Sequence, residues 1–212
     1  MRRGRRKAED PATARRILAA AERHFAAEGM AGARTDEIAA AARANKAMLY
    51  YYFGNKQRLH RAVLENLFRQ LHKVVFAPAA RGATPRDRLL RWVNGYFDFL
   101  ATHPNYPRLV QRESMNATPQ FQWIVREYFR PFHQHIARLV EQGAAAGQFR
   151  KVDAAQTVFT LLGMTVFYFT AAPALTKLVG RDLLSPQALE SRRRALLDFL
   201  EHGLMRKAAR LP

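Results

Sequence analysis

Residues 35–56 read TDEIAAAARANKAMLYYYFGNK, and this stretch decides the fold. Thr35 is a good N-cap for a short helix because its hydroxyl accepts a hydrogen bond from a free backbone N–H, and the two acidic residues after it suit the helix dipole. Asn45 is a second N-cap, and Gly54 ends the helix that Asn45 opens. Two short helices joined by a three-residue turn, with alanines in the first, are typical of a helix-turn-helix.

The second of these helices has two different faces. At about 100° per residue, Leu49 and Phe53 lie on one side and face the core. A helix cannot bury three consecutive tyrosines on one face, so a role at the surface is favoured. N-terminal residues of such a helix reach furthest towards the base edges of a DNA groove. The predicted base-facing residues are Lys46, Ala47, Met48 and Tyr51, and Tyr50 and Tyr52 flank them on the sides of the two phosphate walls.

Residues 35–39 and 45–56 together resemble the TetR family of bacterial regulators, and the match is strong over about residues 13–60. The Leu-Tyr-x-Tyr-Phe-x-Asn-Lys ending is close to diagnostic when an amphipathic helix and a Thr-capped helix precede it. The resemblance assigns the same four residues to base contacts. It also implies contacts to the DNA backbone from Thr35, Tyr50, Tyr52 and Lys56.

The turn between the two helices departs from the family pattern, which has Gly followed by Val or Ile. Here it contains Arg43 and Ala44. Glycine adopts a positive φ at little cost and arginine does not. The turn is therefore either strained or differently shaped, and we hypothesise that Arg43 also contacts a DNA phosphate.

Outward from this motif, apolar residues recur at helical spacing and strand signals are scarce, which predicts an all-α protein. An N-terminal three-helix helix-turn-helix DNA-binding domain precedes a C-terminal helical ligand-binding and dimerisation domain. The expected segments are a flexible basic arm (1–9), the DNA-binding domain (10–56), a connecting helix (57–77) and the sensing and dimerisation domain (84–212). The expected helices beyond the linker are 86–102, 105–116, 119–146, 153–171 and 186–207.

The composition narrows the class of protein. The formal net charge of +18 favours a polyanionic partner, namely double-stranded DNA. The basic arm either grips phosphates or is a solvated tail, and both interpretations stay open. The chain has no cysteine, which excludes thiol chemistry and disulfides. We find no run of about 18 uncharged apolar residues and no signal peptide, so we expect a cytoplasmic protein without a membrane partner.

The C-terminal half is rich in aromatic residues, which exceed what a slim helical bundle needs. The family resemblance implies an apolar pocket with a few polar anchors among these helices. The predicted effector pocket comprises Trp92, Phe99, His103, Arg112, Asn116, Trp123, Arg126 and Phe167, and His133 is a further candidate anchor. We expect no metal, because His133 and His135 point about 200° apart on a helix.

The last two long helices are the dimerisation elements of the family that the chain resembles. Each carries an apolar surface that would be exposed to water in a soluble monomer. The predicted homodimer interface comprises Leu162, Val166, Phe169, Leu196 and Leu200.

The predicted function is therefore a ligand-responsive transcriptional regulator, usually a repressor in this family. A dimer would bind a palindromic operator, and a small-molecule effector would release it. The alternative is a DNA-binding protein without such an effector, controlled by a protein partner or organising DNA. A continuous cavity in the C-terminal domain would favour the sensor. We expect neither an enzyme nor a cofactor, since no Gly-rich phosphate loop, Gly-x-Ser-x-Gly or HExxH pattern occurs.

Overall fold

The computed structural model describes residues 10–116 and 118–206, except for the side chain of Asn116. The predicted arm, residues 1–9, lies outside this part. The all-α fold is confirmed for the described residues, whose only bridge of β type joins Phe149 and Met205. The helices are α1 (Pro11–Gly32), α2 (Thr35–Ala41), α3 (Lys46–Phe53), α4 (Lys56–Val75), α5 (Pro85–Thr102), α6 (Asn105–Asn116), α7 (Pro119–Ile124), a π-helical turn (Val125–Phe129), α8 (Arg130–Ala145), α9 (Ala154–Val179) and α10 (Pro186–Gly203).

Local sequence explains where the first helix begins and bends. The Asp10 carboxylate accepts a hydrogen bond from the Ala12 N–H at 2.9 Å, and Pro11 occupies the first helical position, where no N–H is needed. Gly29 has a φ of 74°, which glycine adopts at little cost, and the regular helix breaks at this residue. One more turn then continues to Gly32.

The caps of the helix-turn-helix follow the sequence at Asn45 and differ at Thr35. The Asn45 side chain accepts from the Met48 N–H at 2.8 Å, as predicted. Helix α2, however, has Arg34 as its N-cap, and no side chain caps it. The assignment of Thr35 as the cap is therefore wrong. Thr35 is the first helical residue, and its hydroxyl lies near another side chain described below.

Helices α1 to α4 share a core that continues into the C-terminal helices. Ile17, Phe25, Ile38 and Leu49 are fully buried in the N-terminal part, and α1 packs against α4 and α6. Helix α4 then continues through buried Leu67 into the C-terminal core. The DNA-binding helices therefore rest directly on the rest of the molecule.

Helix α9 is longer than predicted. It runs to Val179 through Pro173, where the sequence predicts an end near residue 171. Proline removes one backbone hydrogen bond, but tertiary contacts hold the last turns. The Tyr168 hydroxyl donates to the Leu183 carbonyl at 2.8 Å, and the Leu183 N–H donates to the Thr176 hydroxyl at 3.2 Å.

Helix α9 is also more apolar than expected. An 18-residue window within it reaches a mean hydropathy of 1.7, enough to cross a membrane by length and composition alone, and 28% of the window is buried. The expectation that no stretch meets this description is therefore wrong. The buried face, which includes Val158, Leu161 and Phe169, belongs to the core where α9 packs against α5, α6 and α8. The remaining apolar surface faces outward.

Candidate nucleic-acid interface and internal cavity

Helix α3 presents one buried and one open face. Leu49 is fully buried and Phe53 half-buried, whereas the side chain of Tyr51 is 67% exposed. Lys46 and Ala47 are also exposed, and Met48 is half-buried. The four predicted base-facing residues thus share a surface that the protein's own core does not cover.

Lys46 is held by a partner that the sequence prediction missed. Its ammonium lies 2.6 Å from a carboxylate oxygen of Asp36 on α2. The hydrogen bond between them lowers the pKa of Asp36 and raises the pKa of Lys46. Both side chains are about half exposed, so the pair orients Lys46 beside the open face without burying it.

Two of the predicted phosphate-contacting residues lie together. The Thr35 and Tyr50 hydroxyl oxygens are 3.4 Å apart at the surface. One comes from the start of α2 and the other from α3. Each hydroxyl can donate to an anionic oxygen, so a single phosphate can engage both.

Tyr52 and Lys56 are engaged with α1. The Tyr52 hydroxyl accepts from the Asp10 N–H at 3.0 Å and lies 3.2 Å from the Asp10 carbonyl. The Lys56 ammonium donates to the Ala31 carbonyl at 3.0 Å, beyond the bend of α1. Tyr52 therefore ties Asp10, the N-cap of α1, to α3.

The turn between α2 and α3 is strained at Arg43. Its φ of 52° is left-handed, and it is the sole non-glycine with positive φ among residues 10–116 and 118–206. Arg16 of α1 supports the turn, because its Nε donates to the Ala42 carbonyl at 3.2 Å. Nothing in the local pattern marks Arg16, since its partner lies 26 residues away. The Arg43 side chain itself is exposed.

A cavity of about 440 Å³ lies among α4, α5, α6, α8 and α9. Its volume is within the roughly 300–1,000 Å³ typical of small-molecule sites. The lining comprises Leu71, Tyr96, Tyr106, Pro107, Val110, Gln111, Ser114, Phe129, Phe132, His133, Phe159, Leu162, Gly163, Val166, Phe167 and Thr170. Six of these sixteen residues are Phe or Tyr and six more are Leu, Val, Pro or Gly, so the surface offered to a ligand is mainly apolar.

Most of the predicted pocket residues lie elsewhere. Phe167 lines the cavity, but Trp92 and Phe99 are buried in the core beside it. His103 stacks on Phe99 and hydrogen-bonds Gln70 at 3.0 Å. Phe99 and His103 engage each other, whereas the indole N–H of Trp92 is buried without a hydrogen-bond partner among the described residues.

Arg112, Trp123 and Arg126 do not line this cavity. Arg112 donates to the Ala27 carbonyl at 2.8 Å, and Arg126 pairs with Glu127 at 2.8 Å. Trp123 lies under the guanidinium of Arg61 at 4.3 Å. The Asn116 side chain lies outside the described part. Spacing along the chain does not show which side of each helix faces the cavity.

The predicted interface residues also require correction. Leu162 and Val166 line the cavity. Phe169, Leu196 and Leu200 are 8%, 2% and 3% exposed within one chain, where they fill its own core. A partner cannot reach these three without unfolding that core.

Helix α6 contacts both halves of the molecule. Tyr106, Val110 and Ser114 line the cavity, while Asn105 donates to the Glu22 carboxylate of α1 at 3.1 Å. From the same helix, Glu113 lies 3.5 Å from the His60 ring of α4. Both of these last side chains are at most 10% exposed. Burial lowers the pKa of His60 in spite of the nearby carboxylate, so this contact is uncharged on the histidine side at neutral pH.

One surface group within residues 10–116 and 118–206 has the geometry to hold a metal ion. His24, Glu28 and Glu37 offer ligand atoms that all lie within 4.8 Å of one another. His24 is already hydrogen-bonded to Glu28 at 2.9 Å, and Arg34 lies 3.8 Å from Glu37. These contacts account for the group without a metal.

Two protein families match the chain. Residues 17–63 match the bacterial regulatory proteins of the tetR family, and residues 85–200 match the tetracyclin repressor-like C-terminal domain. The HTH-type transcriptional repressor NicS of Pseudomonas putida is 25% identical over 193 residues, which are 90% of this chain and 91% of NicS. The HTH-type transcriptional repressor SCO4008 of Streptomyces coelicolor is 42% identical over 109 residues, which are 51% of this chain and 53% of that repressor.

Solved structures have the same fold. The ketosteroid transcriptional regulator KstR2 of Mycobacterium tuberculosis superposes with a TM-score of 0.76 at 19% identity, covering 91% of this chain and 96% of KstR2. A transcriptional regulator of Saccharomonospora viridis in complex with choline superposes with a TM-score of 0.72 at 23% identity. The superposition covers 91% of this chain and 97% of that regulator. At these identities the likeness shows the architecture of helices and nothing about the ligand.

Proposed function

Because the chain belongs to the TetR family of bacterial transcriptional regulators, we propose that it is a ligand-responsive repressor. It binds a palindromic operator as a homodimer in the cytoplasm, and a small-molecule effector in the cavity releases it. The observation that carries the proposal is the position of α6, which lines the cavity and contacts α1 and α4. NicS and SCO4008, to which the chain is similar, are transcriptional repressors.

Sequence is read by the open face of α3. Tyr51, with its ring exposed, and Lys46, oriented by Asp36, are the residues best placed for base edges. Thr35 and Tyr50 bind one phosphate, and Arg43 and Lys56 contribute charge to the same backbone. Such phosphate contacts position the domain, and base contacts select the sequence.

The dimer forms through the outward stripe of α9 together with α10. On α9 this stripe contains Thr160, Gly163, Phe167, Ala174 and Leu178, and on α10 the Phe199 ring is 59% exposed. Small residues in the stripe allow two helices to approach closely, and the large apolar residues at its edges provide apolar surface that dimer formation buries. This surface replaces the interface predicted from the sequence, and it explains the apolar character of α9.

The effector acts through α6. A ligand that binds better when α6 is displaced shifts the protein towards a conformation in which the two α3 helices no longer fit one operator. The continuous cavity supports this sensor over the alternative of a DNA-binding protein without an effector.

Operator selection from random duplex DNA tests the DNA-reading part. We expect wild type to enrich a two-fold symmetric sequence, with half-sites about one helical turn or a multiple apart. Tyr51→Ala is expected to enrich a different or relaxed half-site. Tyr50→Phe is expected to retain the half-site and bind all duplexes more weakly. Enrichment of one unchanged site by Tyr51→Ala would contradict the assignment of α3.

Val110→Phe tests the sensing part. Val110 is half-buried and lines the cavity from α6, so a phenyl ring at this position takes up cavity volume and leaves the α9 stripe unchanged. We expect this variant to lose effector binding. A variant that binds and responds to an effector like wild type would place the effector site elsewhere.

A further inference from the structure

Four of the six polar side chains that line the cavity are engaged by the protein itself. The Ser114 hydroxyl donates to the Gln111 carbonyl at 2.8 Å, and the Thr170 hydroxyl donates to the Val166 carbonyl at 3.0 Å. The Tyr96 and Tyr106 hydroxyls are hydrogen-bonded to each other, and burial raises the pKa of both. These four groups therefore offer a ligand little directed bonding.

Of the other two polar side chains in the lining, Gln111 is exposed, whereas His133 is half-buried. Its Nε2 atom is buried and has no hydrogen-bond partner, while its ring contacts Phe159 with centroids 5.0 Å apart. A buried polar nitrogen without a partner costs free energy, and a bound molecule that supplies the partner recovers it. A hydroxyl group on the ligand satisfies either tautomer of the ring, because it can donate and accept.

The described lining contains no Lys, Arg, Asp or Glu, although the chain carries 35 basic and 17 acidic residues. A carboxylate ligand would lose its hydration with no Lys or Arg to pair with, and it would gain a cationic partner only by protonating His133. An ammonium ligand would lack a carboxylate and would enter a molecule of net charge +18. Only an uncharged ligand avoids both penalties.

Resting on the proposed function, we infer that the effector is a neutral, mainly apolar molecule whose one hydroxyl or carbonyl group hydrogen-bonds His133 Nε2. The aromatic rings of the lining also attract cations, so a quaternary ammonium ligand is the competing class. A neutral ligand and a quaternary ammonium ligand can have the same apolar part and differ only in charge. Their affinities for the protein can therefore be compared directly.

The test uses three probes with the same alkyl chain: n-octanol, octanoate and octyltrimethylammonium. Trp92 reports binding, because its ring lies 5.7 Å from the rings of both Tyr96 and Phe132 in the lining. The chain has two tryptophans, so Trp123→Phe leaves Trp92 as the single emitter. We expect a saturable change with n-octanol at a Kd at least about tenfold below that of either charged probe. Tighter binding of octanoate or octyltrimethylammonium, or no saturable change with any probe, overturns the inference.

Variants of His133 test the anchor. His133→Phe retains the ring and removes the polar atoms, so n-octanol binding is expected to weaken about three- to tenfold, the usual worth of one hydrogen bond. His133→Gln is expected to recover part of the loss. His72→Phe makes the same substitution at an exposed position outside the lining and is expected to bind like wild type. Equal binding by His133→Phe and wild type overturns the role of His133.

Operator affinity separates this inference from the proposed function. Fluorescence anisotropy of labelled operator is measured with and without saturating n-octanol. Binding of n-octanol with unchanged operator affinity supports the ligand class and contradicts its coupling to DNA release. If a charged probe binds more tightly than n-octanol and also releases the operator, the coupling to DNA release is supported and the inferred ligand class is contradicted.

Discussion

At the scale of single residues, the turn of the DNA-binding motif stores strain at Arg43. A left-handed conformation costs an L-residue roughly 1–2 kcal/mol, which glycine avoids, although glycine gains about 0.5–1 kcal/mol of entropy in the unfolded chain. We expect Arg43→Gly to raise the free energy of unfolding by roughly 0.5–1 kcal/mol, measured by urea denaturation. The observed φ of 52° is the reason for the expected sign.

Arg43→Ala is the matched control for the strain, because alanine retains the side-chain penalty and loses the guanidinium. Its stability is expected to stay close to that of wild type. If Arg43 contacts a phosphate, both variants bind DNA more weakly, and the slope of log affinity against log salt falls by about 0.9. If both variants bind DNA as tightly as wild type, Arg43 does not contact a phosphate.

His60 makes the unfolding free energy depend on pH. Burial lowers its pKa below the ordinary value of about 6.5, and the neighbouring Lys56 acts in the same direction. As the pH falls through about 6.5, the unfolded chain takes up a proton that folded His60 does not, so stability is lost towards acid. The expected slope from this residue is up to about 1.4 kcal/mol per pH unit.

Denaturation of wild type and His60→Gln at several pH values between 5 and 7 measures this slope. The variant is expected to be less stable at pH 7, because Glu113 loses its partner, but to have a shallower pH dependence. His135 contributes in both proteins, since burial lowers its pKa as well. Parallel curves for the two proteins would show that His60 titrates normally.

At the scale of helices, Gly143 is required by the way in which the end of α8 packs. A Cβ at this position would overlap the Phe149 ring, which is 1% exposed. We expect Gly143→Ala to lower the free energy of unfolding by roughly 1–3 kcal/mol, the usual cost of overpacking a core.

Gly163→Ala is the control for this substitution. Gly163 also lies within a helix, but a Cβ there meets nothing within 4 Å. Alanine is the better helix former, so stability is expected to rise by about 0.5–1 kcal/mol. Equal changes in the two variants would mean that helix propensity, and not contact with Phe149, governs both positions.

The sequence predicts the helices better than it predicts the cavity. Caps such as Asn45 and the spacing of Leu49 act within one or two turns, so α3 could be placed from local pattern alone. The cavity depends on side chains from helices far apart in the chain, such as Tyr96 and Phe132. Nothing local distinguishes these aromatic residues from Trp92, which is buried beside them. The end of α9 could not be predicted for the same reason. The contacts that keep the chain helical beyond Pro173 involve Leu183, which lies in the following loop.

At the scale of the whole molecule, the exposed apolar surface concentrates on α9, α10 and the loop between them. Phe159, Phe167, Leu178, Leu184 and Phe199 are each at least 38% exposed in one chain. Soluble proteins seldom leave large apolar surfaces exposed to water. In the homodimer proposed above, α9 and α10 of a second copy cover these side chains.

Phe199→Glu tests this interface, because a carboxylate at its centre is left without a partner when the copies associate. We expect monomers in sedimentation or light scattering where wild type is a dimer, and a loss of palindromic operator binding of at least about tenfold. Met115→Glu introduces the same charge at a side chain that is 78% exposed on α6. This control is expected to stay dimeric, so net charge alone does not explain dissociation. A dimeric Phe199→Glu protein would place the interface on another face, and the apolar stripe of α9 would then need a different partner.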